Sequence, residues 1–182
     1  PAPNIVLENL TIRHGNLSGA QGAGIYSTVA ASLSIVNCNI MDNYTDKQGG
    51  GISHKGALTI SNSAIINNYA NEVGGGIYHN SAILPMTITN SVIYGNTSLN
   101  QNGAAISCKS SLATINNSTI AYNTCESDNR VEGFHYSGTG AVTLSNSILF
   151  HNLRANNDKD SGIDIGGTIP STVISKNNII SY

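Results

Sequence analysis

The chain of 182 residues repeats one pattern about seven times, and an asparagine marks each copy. The marking asparagines follow one another at spacings of 28, 25, 28, 27, 29 and 31 residues. We call them the anchor column, and its members are Asn9, Asn37, Asn62, Asn90, Asn117, Asn146 and Asn177. Self-similarity at such a period is typical of stacked repeats, in which each unit buries its apolar face against the next. The repeat therefore predicts a solenoid.

Apolar and polar residues alternate before each anchor. In the third copy, Leu58 and Ile60 lie four and two residues before Asn62, with polar residues between them. This period of two predicts a half-buried strand. A second strand is predicted after the anchor, with an inward residue three positions later, such as Ile65 or Ile93.

A second asparagine column follows that strand, and its members are Asn43, Asn68, Asn96, Asn123 and Asn152. Asparagine tolerates positive backbone φ, so we expect a corner at this column. Glycine-rich signatures such as GGGIY (Gly74–Tyr78) then introduce a third strand. Its inward residues in the last two copies are predicted to be Phe134 and Ile163.

Three short strands and three corners within about 28 residues, with no helical period, predict one turn of a parallel β-helix. We expect an all-β single domain over residues 1–182 with about six to seven coils. Neighbouring turns lie about 4.8 Å apart, so both asparagine columns are predicted to form ladders of buried amides. The solenoid lacks polar capping units, which predicts a fragment of a longer surface protein whose exposed edges associate end to end.

Composition narrows the classes of partner. Charged residues make up only 10% of the chain and give a net charge of −2, without the basic footprint of nucleic-acid binders. No apolar run approaches the roughly 18 residues of a spanning helix, so we expect no membrane insertion by this segment. Three cysteines, Cys38, Cys108 and Cys125, are predicted to be small buried thiols, and a Cys108–Cys125 bridge is the alternative.

The combination of GGGIY with LTI-x-NS-x-I-x-x-N resembles the right-handed parallel β-helix repeats of bacterial surface proteins. That group includes the chlamydial polymorphic outer membrane protein repeats and anchored secreted proteins with a pectate-lyase-like fold. The polymorphic repeats carry Phe-x-x-Asn where this chain has Ile-x-x-Asn, as in Ile65 to Asn68. The resemblance implies a right-handed winding and an extracellular or cell-surface location in bacteria.

Several side chains are candidates for a ligand-binding face beside the third strand: Tyr26, Tyr78, His54, His79 and His135. Tyrosine rings stack on sugars, although ordinary exposed tyrosine is the alternative. His54, His79 and Cys108 are zinc ligand types on successive turns, but a strand ladder rarely converges on a tetrahedron. We therefore expect a plain surface or corner stack and no zinc.

The densest acidic spot, Asp158 with Asp160 and Asp164, is a weak calcium candidate, and a solvated loop is its alternative. No other cofactor is expected. The outward threonines, such as Thr87 and Thr89, resemble ice-binding arrays, but polar outer strand faces are common.

No catalytic residue is assigned, because no column carries two carboxylates and a base. The sequence predicts a non-catalytic surface β-helix, an adhesin, spacer or glycan-binding segment, whose partners are polysaccharides, cell-surface glycans or proteins. The alternative is a polysaccharide lyase or glycoside hydrolase of pectate-lyase-like fold.

Overall fold

The computed structural model describes residues 3–28, 31–127, 131–154, 165–167 and 173–180. These residues form short strands joined by turns, and every strand pairing among them is parallel. The strands wind into a parallel β-solenoid, as predicted, with seven strands in each of two sheets and six in each of the other two. Within the described part of the chain no helix has the length and apolarity that crossing a bilayer requires.

Sheets 1 and 2 flank the anchor column. Sheet 1 contains β1 (Asn4–Glu8), β5 (Ser32–Val36), β9 (Leu58–Ser61), β13 (Met86–Thr89), β17 (Leu112–Asn116), β21 (Ala141–Ser145) and β25 (Val173–Lys176). Sheet 2 contains β2 (Thr11–Arg13), β6 (Asn39–Met41), β10 (Ala64–Ile66), β14 (Val92–Tyr94), β18 (Thr119–Ala121), β22 (Ile148–Phe150) and β26 (Ile179–Ile180).

Sheets 3 and 4 complete each turn. Sheet 3 contains β3 (Asn16–Leu17), β7 (Tyr44–Thr45), β11 (Tyr69–Ala70), β15 (Thr97–Ser98), β19 (Thr124–Cys125) and β23 (Leu153–Arg154). Sheet 4 contains β4 (Ile25–Ser27), β8 (Ile52–His54), β12 (Ile77–Asn80), β16 (Ile106–Lys109), β20 (Phe134–Tyr136) and β24 (Ile165–Gly167). A complete turn therefore has four strands, and the prediction of three missed the two-residue strands of sheet 3.

The predicted inward residues of sheets 1 and 2 form the core. Ile60, Ile88, Ile65 and Ile93 are fully buried, and each pairs with its copy on the next turn. Aliphatic side chains of one type thus lie directly above one another, and burial of each stabilises the fold by about 1.5–3 kcal/mol. The half-buried strands predicted from the alternation are confirmed.

The anchor column lies outside this core, which corrects the prediction that its amides are buried. All seven anchor asparagines are exposed, and their φ angles lie between 49° and 58°. Asn90, for example, has a φ of 50°. Asparagine accepts this left-handed conformation at low cost, and the column therefore turns the chain from sheet 1 into sheet 2.

The second asparagine column forms the buried ladder. Asn68 donates from its backbone N–H and its Nδ2 to Asn96 Oδ1, at 3.0 Å each. Asn96 Nδ2 donates in turn to Ile65 O and to Asn123 Oδ1, at 2.9 Å each. The same pattern joins Asn43 to Asn68, and Asn123 to Asn152. The positive φ expected for this column belongs instead to the residue before each ladder asparagine, such as Asn67 at 53°.

A ladder of buried serines, which the sequence analysis overlooked, follows the anchor column. The Ser91 backbone N–H donates to Ser118 Oγ at 3.2 Å, and Ser91 Oγ donates to Thr89 O at 2.7 Å. Ser63 and Ser118 repeat both contacts on neighbouring turns. Each small hydroxyl satisfies a backbone group that the corner would otherwise leave unpaired.

The three cysteines are free and buried, as predicted, and the alternative Cys108–Cys125 bridge is wrong. Cys125 Sγ donates to Gln101 O at 3.1 Å, and Ser98 Oγ donates to the same carbonyl oxygen at 2.6 Å. The inward side chains of sheet 3 therefore hold a neighbouring loop.

The last described copy of sheet 4 differs from the predicted register. Ile165 pairs with Phe134, and Gly166 pairs with His135. The sequence predicts Ile163 at the position that Ile165 occupies, so this prediction is two residues out of register. Ile163 itself lies outside the described residues.

We predict that Asn96→Ala destabilises the protein far more than Asn90→Gly. The first change removes the acceptor of the Asn68 N–H and Nδ2 and the amide donor to Ile65 O, and each unsatisfied buried group costs roughly 1–3 kcal/mol. The second change keeps a residue that accepts positive φ at an exposed corner. Urea unfolding of both variants measures the difference, and equal losses of stability would contradict the ladder.

Candidate functional site

The zinc ligand types His54, His79 and Cys108 are in register on successive turns of sheet 4, as predicted, and Ser27 and Tyr136 extend this column at its two ends. The prediction of a surface or corner stack is wrong, because the column lies in the interior. His54, His79 and Cys108 are 0% exposed, and Tyr136 is buried as well. The column therefore faces the core, and the two histidines cannot belong to an outer ligand-binding face.

The buried histidines are held by backbone carbonyls. His79 Nε2 donates to Gly56 O at 2.7 Å, and His54 Nε2 donates to Ala57 O at 3.2 Å. Because a carbonyl oxygen only accepts, the proton of each neutral ring lies on Nε2 and Nδ1 is the acceptor. The Cys108 thiol lies 3.7 Å from His79 Nδ1, whereas His54 Nδ1 has no hydrogen-bond partner.

Burial shifts the titration of this column. It lowers the pKa of His54 below its ordinary value of 6.5. It also lowers the pKa of His79, and the nearby His54 adds to that effect. Burial raises the pKa of the Cys108 thiol to about 12. All three groups are therefore uncharged at neutral pH, as expected for side chains in an apolar interior.

Within the described ranges, no three His, Cys, Asp or Glu side chains are grouped so that they could hold a metal ion. The weak calcium candidates Asp158, Asp160 and Asp164 lie outside the described residues. Asp46 holds a neighbouring loop by accepting from Ser18 Oγ at 3.0 Å and from the Gly19 N–H at 2.7 Å. The Gly19 hydrogen bond, followed by that of Ser18, lowers the pKa of Asp46.

The remaining members of the predicted face, Tyr26, Tyr78 and His135, lie on the outer side of sheet 4. Two buried serines, Ser53 and Ser107, alternate with them along the sheet. Tyr26 is 49% exposed, but Tyr78 is partly buried, and burial raises its pKa. The two tyrosines lie two turns apart, so their rings do not form a continuous surface.

A more continuous aromatic surface follows the corner between sheets 2 and 3. The sequence pattern does not reveal it, because its members occupy three different positions of the repeat. We call it the aromatic edge, and it consists of Tyr44, Tyr69, Tyr94, Tyr122, Phe150 and His151.

The rings of the aromatic edge contact one another in two groups, one on each side of the step from Tyr69 to Tyr94. The Tyr94 and Tyr122 centroids are 5.2 Å apart, and those of Tyr122 and Phe150 are 5.8 Å apart. His151 stacks on Phe150 at 4.4 Å. Across the corner, Tyr44 and Tyr69 stack at 5.1 Å. Tyr94 and Tyr122 nevertheless remain 41% and 44% exposed. The edge thus presents aromatic surface that the described residues leave open to solvent.

Tyr122 lies at a strained corner. Its φ is 57°, a left-handed conformation that asparagine and glycine adopt readily and that costs other residues about 1–2 kcal/mol. Two preceding turns carry Asn67 and Gly95 at the equivalent corner, with φ of 53° and 65°. Tyrosine is therefore an unfavourable residue for the backbone conformation of this corner, and its ring points outward. Residues held in this way concentrate at functional sites.

Polar and charged groups surround the edge. Asn67 is exposed at the corner, and its Oδ1 occupies the space that a Cβ on Gly95 would take. Asp42 lies at the same corner one turn earlier, next to Tyr44. The pKa of Tyr69 is raised by burial first and then by the negative charge of Glu126. Arg13, in register with Met41 on sheet 2, adds a positive charge beside the same corner.

Comparison of the chain with protein-family models, with curated proteins and with solved structures finds no match.

We predict that acid destabilises the fold through His54 and His79. Both histidines have a lower pKa in the folded chain than the ordinary value of 6.5 that applies in the unfolded chain. As the pH falls through 6.5, the unfolded chain therefore binds protons before the folded chain does. Stability is therefore fully present above that pH, and it decreases as the pH falls toward the folded pKa values. Urea midpoints at about pH 7.5 and 5.5 measure the effect.

The matched variants for this experiment are His79→Gln and His14→Asn. His79→Gln keeps a donor for Gly56 O but removes a titrating ring, so the difference between the two midpoints should shrink. His14 is exposed at a corner with a φ of 59°, and asparagine at this position should leave the difference unchanged. A wild-type midpoint that is equal at both pH values would contradict the prediction.

Proposed function

We propose that this chain is a non-catalytic binding segment of an extracellular or cell-surface protein, and that it acts as an adhesin or spacer that binds glycans at its aromatic edge. The observation that carries the proposal is Tyr122. Its ring is 44% exposed at a corner where its backbone conformation is unfavourable. A ring retained at such a cost, in contact with the rings of Tyr94, Phe150 and His151, favours a binding role over a structural one.

A solenoid edge suits this role for an energetic reason. The backbone beneath the rings is fixed by parallel pairing, and each corner is tied to the next by hydrogen bonds such as Tyr122 N–H to Phe150 O at 3.1 Å. Tyrosine has few rotatable bonds, so ordering it on binding costs little entropy. A ligand therefore meets a preorganised surface.

Glycans fit the chemistry of the edge. The apolar C–H faces of sugar rings pack against aromatic side chains, while their hydroxyls bond to amides and phenols. Tyr94 and Tyr122 offer an aromatic body with a polar tip, and Asn67 adds an exposed amide beside them. The extracellular and bacterial placement is supported by the resemblance of the GGGI and NS repeats to bacterial surface proteins.

Affinity electrophoresis on a panel of neutral and acidic polysaccharides tests the proposal. At least one polysaccharide should retard the chain, and Tyr122→Asn should reduce the retardation, because it removes the ring but suits the φ of 57°. Tyr26→Asn is the matched control, since it makes the same change at a residue 49% exposed on sheet 4.

Product formation is followed in the same samples by assays for reducing ends and for unsaturated sugars. The proposal expects binding without products. Turnover would favour a lyase or hydrolase, and loss of retardation in Tyr26→Asn with normal retardation in Tyr122→Asn would move the site to sheet 4.

A further inference from the structure

The outward side of sheet 2 is apolar over most of its length. Ile93 and its copies point into the core, so the residues on either side of each point outward. We call the outward residues of the second to sixth turns the sheet 2 face, and they are Asn39, Met41, Ala64, Ile66, Val92, Tyr94, Thr119, Ala121, Ile148 and Phe150. Eight of these ten residues are apolar, and none is charged.

The outward side of sheet 1 has the opposite character on the same turns. Its residues are Ser34, Val36, Thr59, Ser61, Thr87, Thr89, Thr114, Asn116, Thr143 and Ser145. Nine of these ten are polar. An outward strand position of this solenoid therefore accepts a hydroxyl or an amide, and the fold does not require the aliphatic residues of the sheet 2 face.

The apolar residues of the sheet 2 face are open to solvent and adjacent to one another. Val92, Tyr94 and Ile148 are exposed, and Met41 and Ile66 are half-buried. Single exposed apolar residues are ordinary on a protein surface, whereas a contiguous patch marks an interaction site. The sheet 2 face is such a patch.

The chemistry of the face does not suit a polar or charged ligand. Asn39 and Thr119 are the two polar side chains among its ten residues. Tyr122 lies at the corner beside the face, and Arg13 lies on the turn before it. A sugar or a charged peptide would therefore lose hydration at the face without gaining hydrogen bonds or ion pairs. Burial of the apolar surface itself supplies the driving force for binding.

A second copy of this chain fits the face. Contact between two identical faces brings like groups together, and the absence of charge on this face removes the repulsion that usually opposes such contact. Homodimer interfaces are also more apolar than other interfaces. The strands of sheet 2 pair in register, so the face is regular, and two sheets of this kind pack about 10 Å apart.

The area of the face agrees with a dimer. Seven strands stacked about 4.8 Å apart extend roughly 30 Å along the axis, and three residues with their two corners span roughly 20 Å. The resulting area of about 600 Å² approaches the roughly 800 Å² that each partner buries in an interface of standard size. We therefore expect a dimer that dissociates on dilution.

We propose that two copies of this chain form a dimer through the sheet 2 face, around a two-fold axis that passes near Val92. A two-fold interface uses the same patch on both subunits. Val92 lies on the fourth of the seven strands of sheet 2, so the two Val92 side chains lie close together at the centre of the contact. The inference is independent of the proposed glycan site, because Tyr122 lies at the corner outside the face.

Sedimentation velocity of the full chain, over a roughly hundredfold range of protein concentration, tests the proposal. The mass should rise from 18.9 kDa toward twice that value. Val92→Lys should raise the dimer dissociation constant by at least about tenfold, because it buries two like charges close together. Thr87→Lys is the matched control, since it places the same charge outward on sheet 1 in the same turn, and it should leave the dissociation constant unchanged.

A mixture of variants separates loss of the contact from misfolding. Val92→Glu alone should weaken the dimer as Val92→Lys does. An equimolar mixture of the two variants should associate more tightly than either variant alone, because opposite charges then meet at the centre of the contact. A misfolded variant would not be restored by mixing.

A mass of 18.9 kDa at every concentration would overturn the proposal. If Val92→Lys then also weakened the retardation by polysaccharides, the face would belong to the glycan site instead. A dimer that Val92→Lys leaves intact would place the interface elsewhere, and growth beyond the dimer would indicate end-to-end association through the terminal strands. None of these results affects the proposed function, which Tyr122→Asn tests separately.

Discussion

The ladder of buried asparagine amides fixes how one turn lies upon the next. From Asn68 onward, the ladder Oδ1 accepts from a backbone N–H and from a side-chain amide of the preceding turn, as Asn96 does for Asn68. Each Nδ2 reaches a carbonyl such as Ile65 O and continues the chain of amides to Asn123. An amide is the only uncharged side chain group with both strong acceptor and multiple donor capacity, so few other residues satisfy these positions. The register of the aliphatic columns follows from this constraint.

With register fixed by the amides, the solenoid tolerates polar residues elsewhere in its interior. His79 and Cys108 lie among aliphatic side chains because Gly56 O accepts from the ring and Ser110 Oγ accepts from the thiol. The same rigidity frees the outer surface for variation. Sheet 1 presents hydroxyls such as Thr87 and Thr114, whereas the neighbouring edge presents the rings of Tyr94 and Tyr122.

The fold could be predicted from the sequence because its period and alternation are local properties of the chain. The role of each asparagine column could not. The alternation of apolar and polar residues predicts that the anchor asparagine lies on the same side of the strand as Ile88 or Ile60. The strand ends before the anchor, however, and the φ of 50° at Asn90 turns its side chain outward. In the last copy, Ile163 and Ile165 both satisfy a period of two, and only pairing with Phe134 distinguishes them. The aromatic edge was missed because no single repeat position contains it. Only the corner brings Tyr94 and Tyr122, which occupy different positions of the repeat, into contact.

Hydrogen exchange of the asparagine side-chain amides, followed by NMR, tests the central claim most directly. The account predicts that the Nδ2 protons of Asn68, Asn96 and Asn123 exchange as slowly as the backbone amides of the core strands, because they are buried and bonded between turns. The amides of Asn62 and Asn90, exposed at their corners, are predicted to exchange rapidly. Equally rapid exchange in both columns would contradict it.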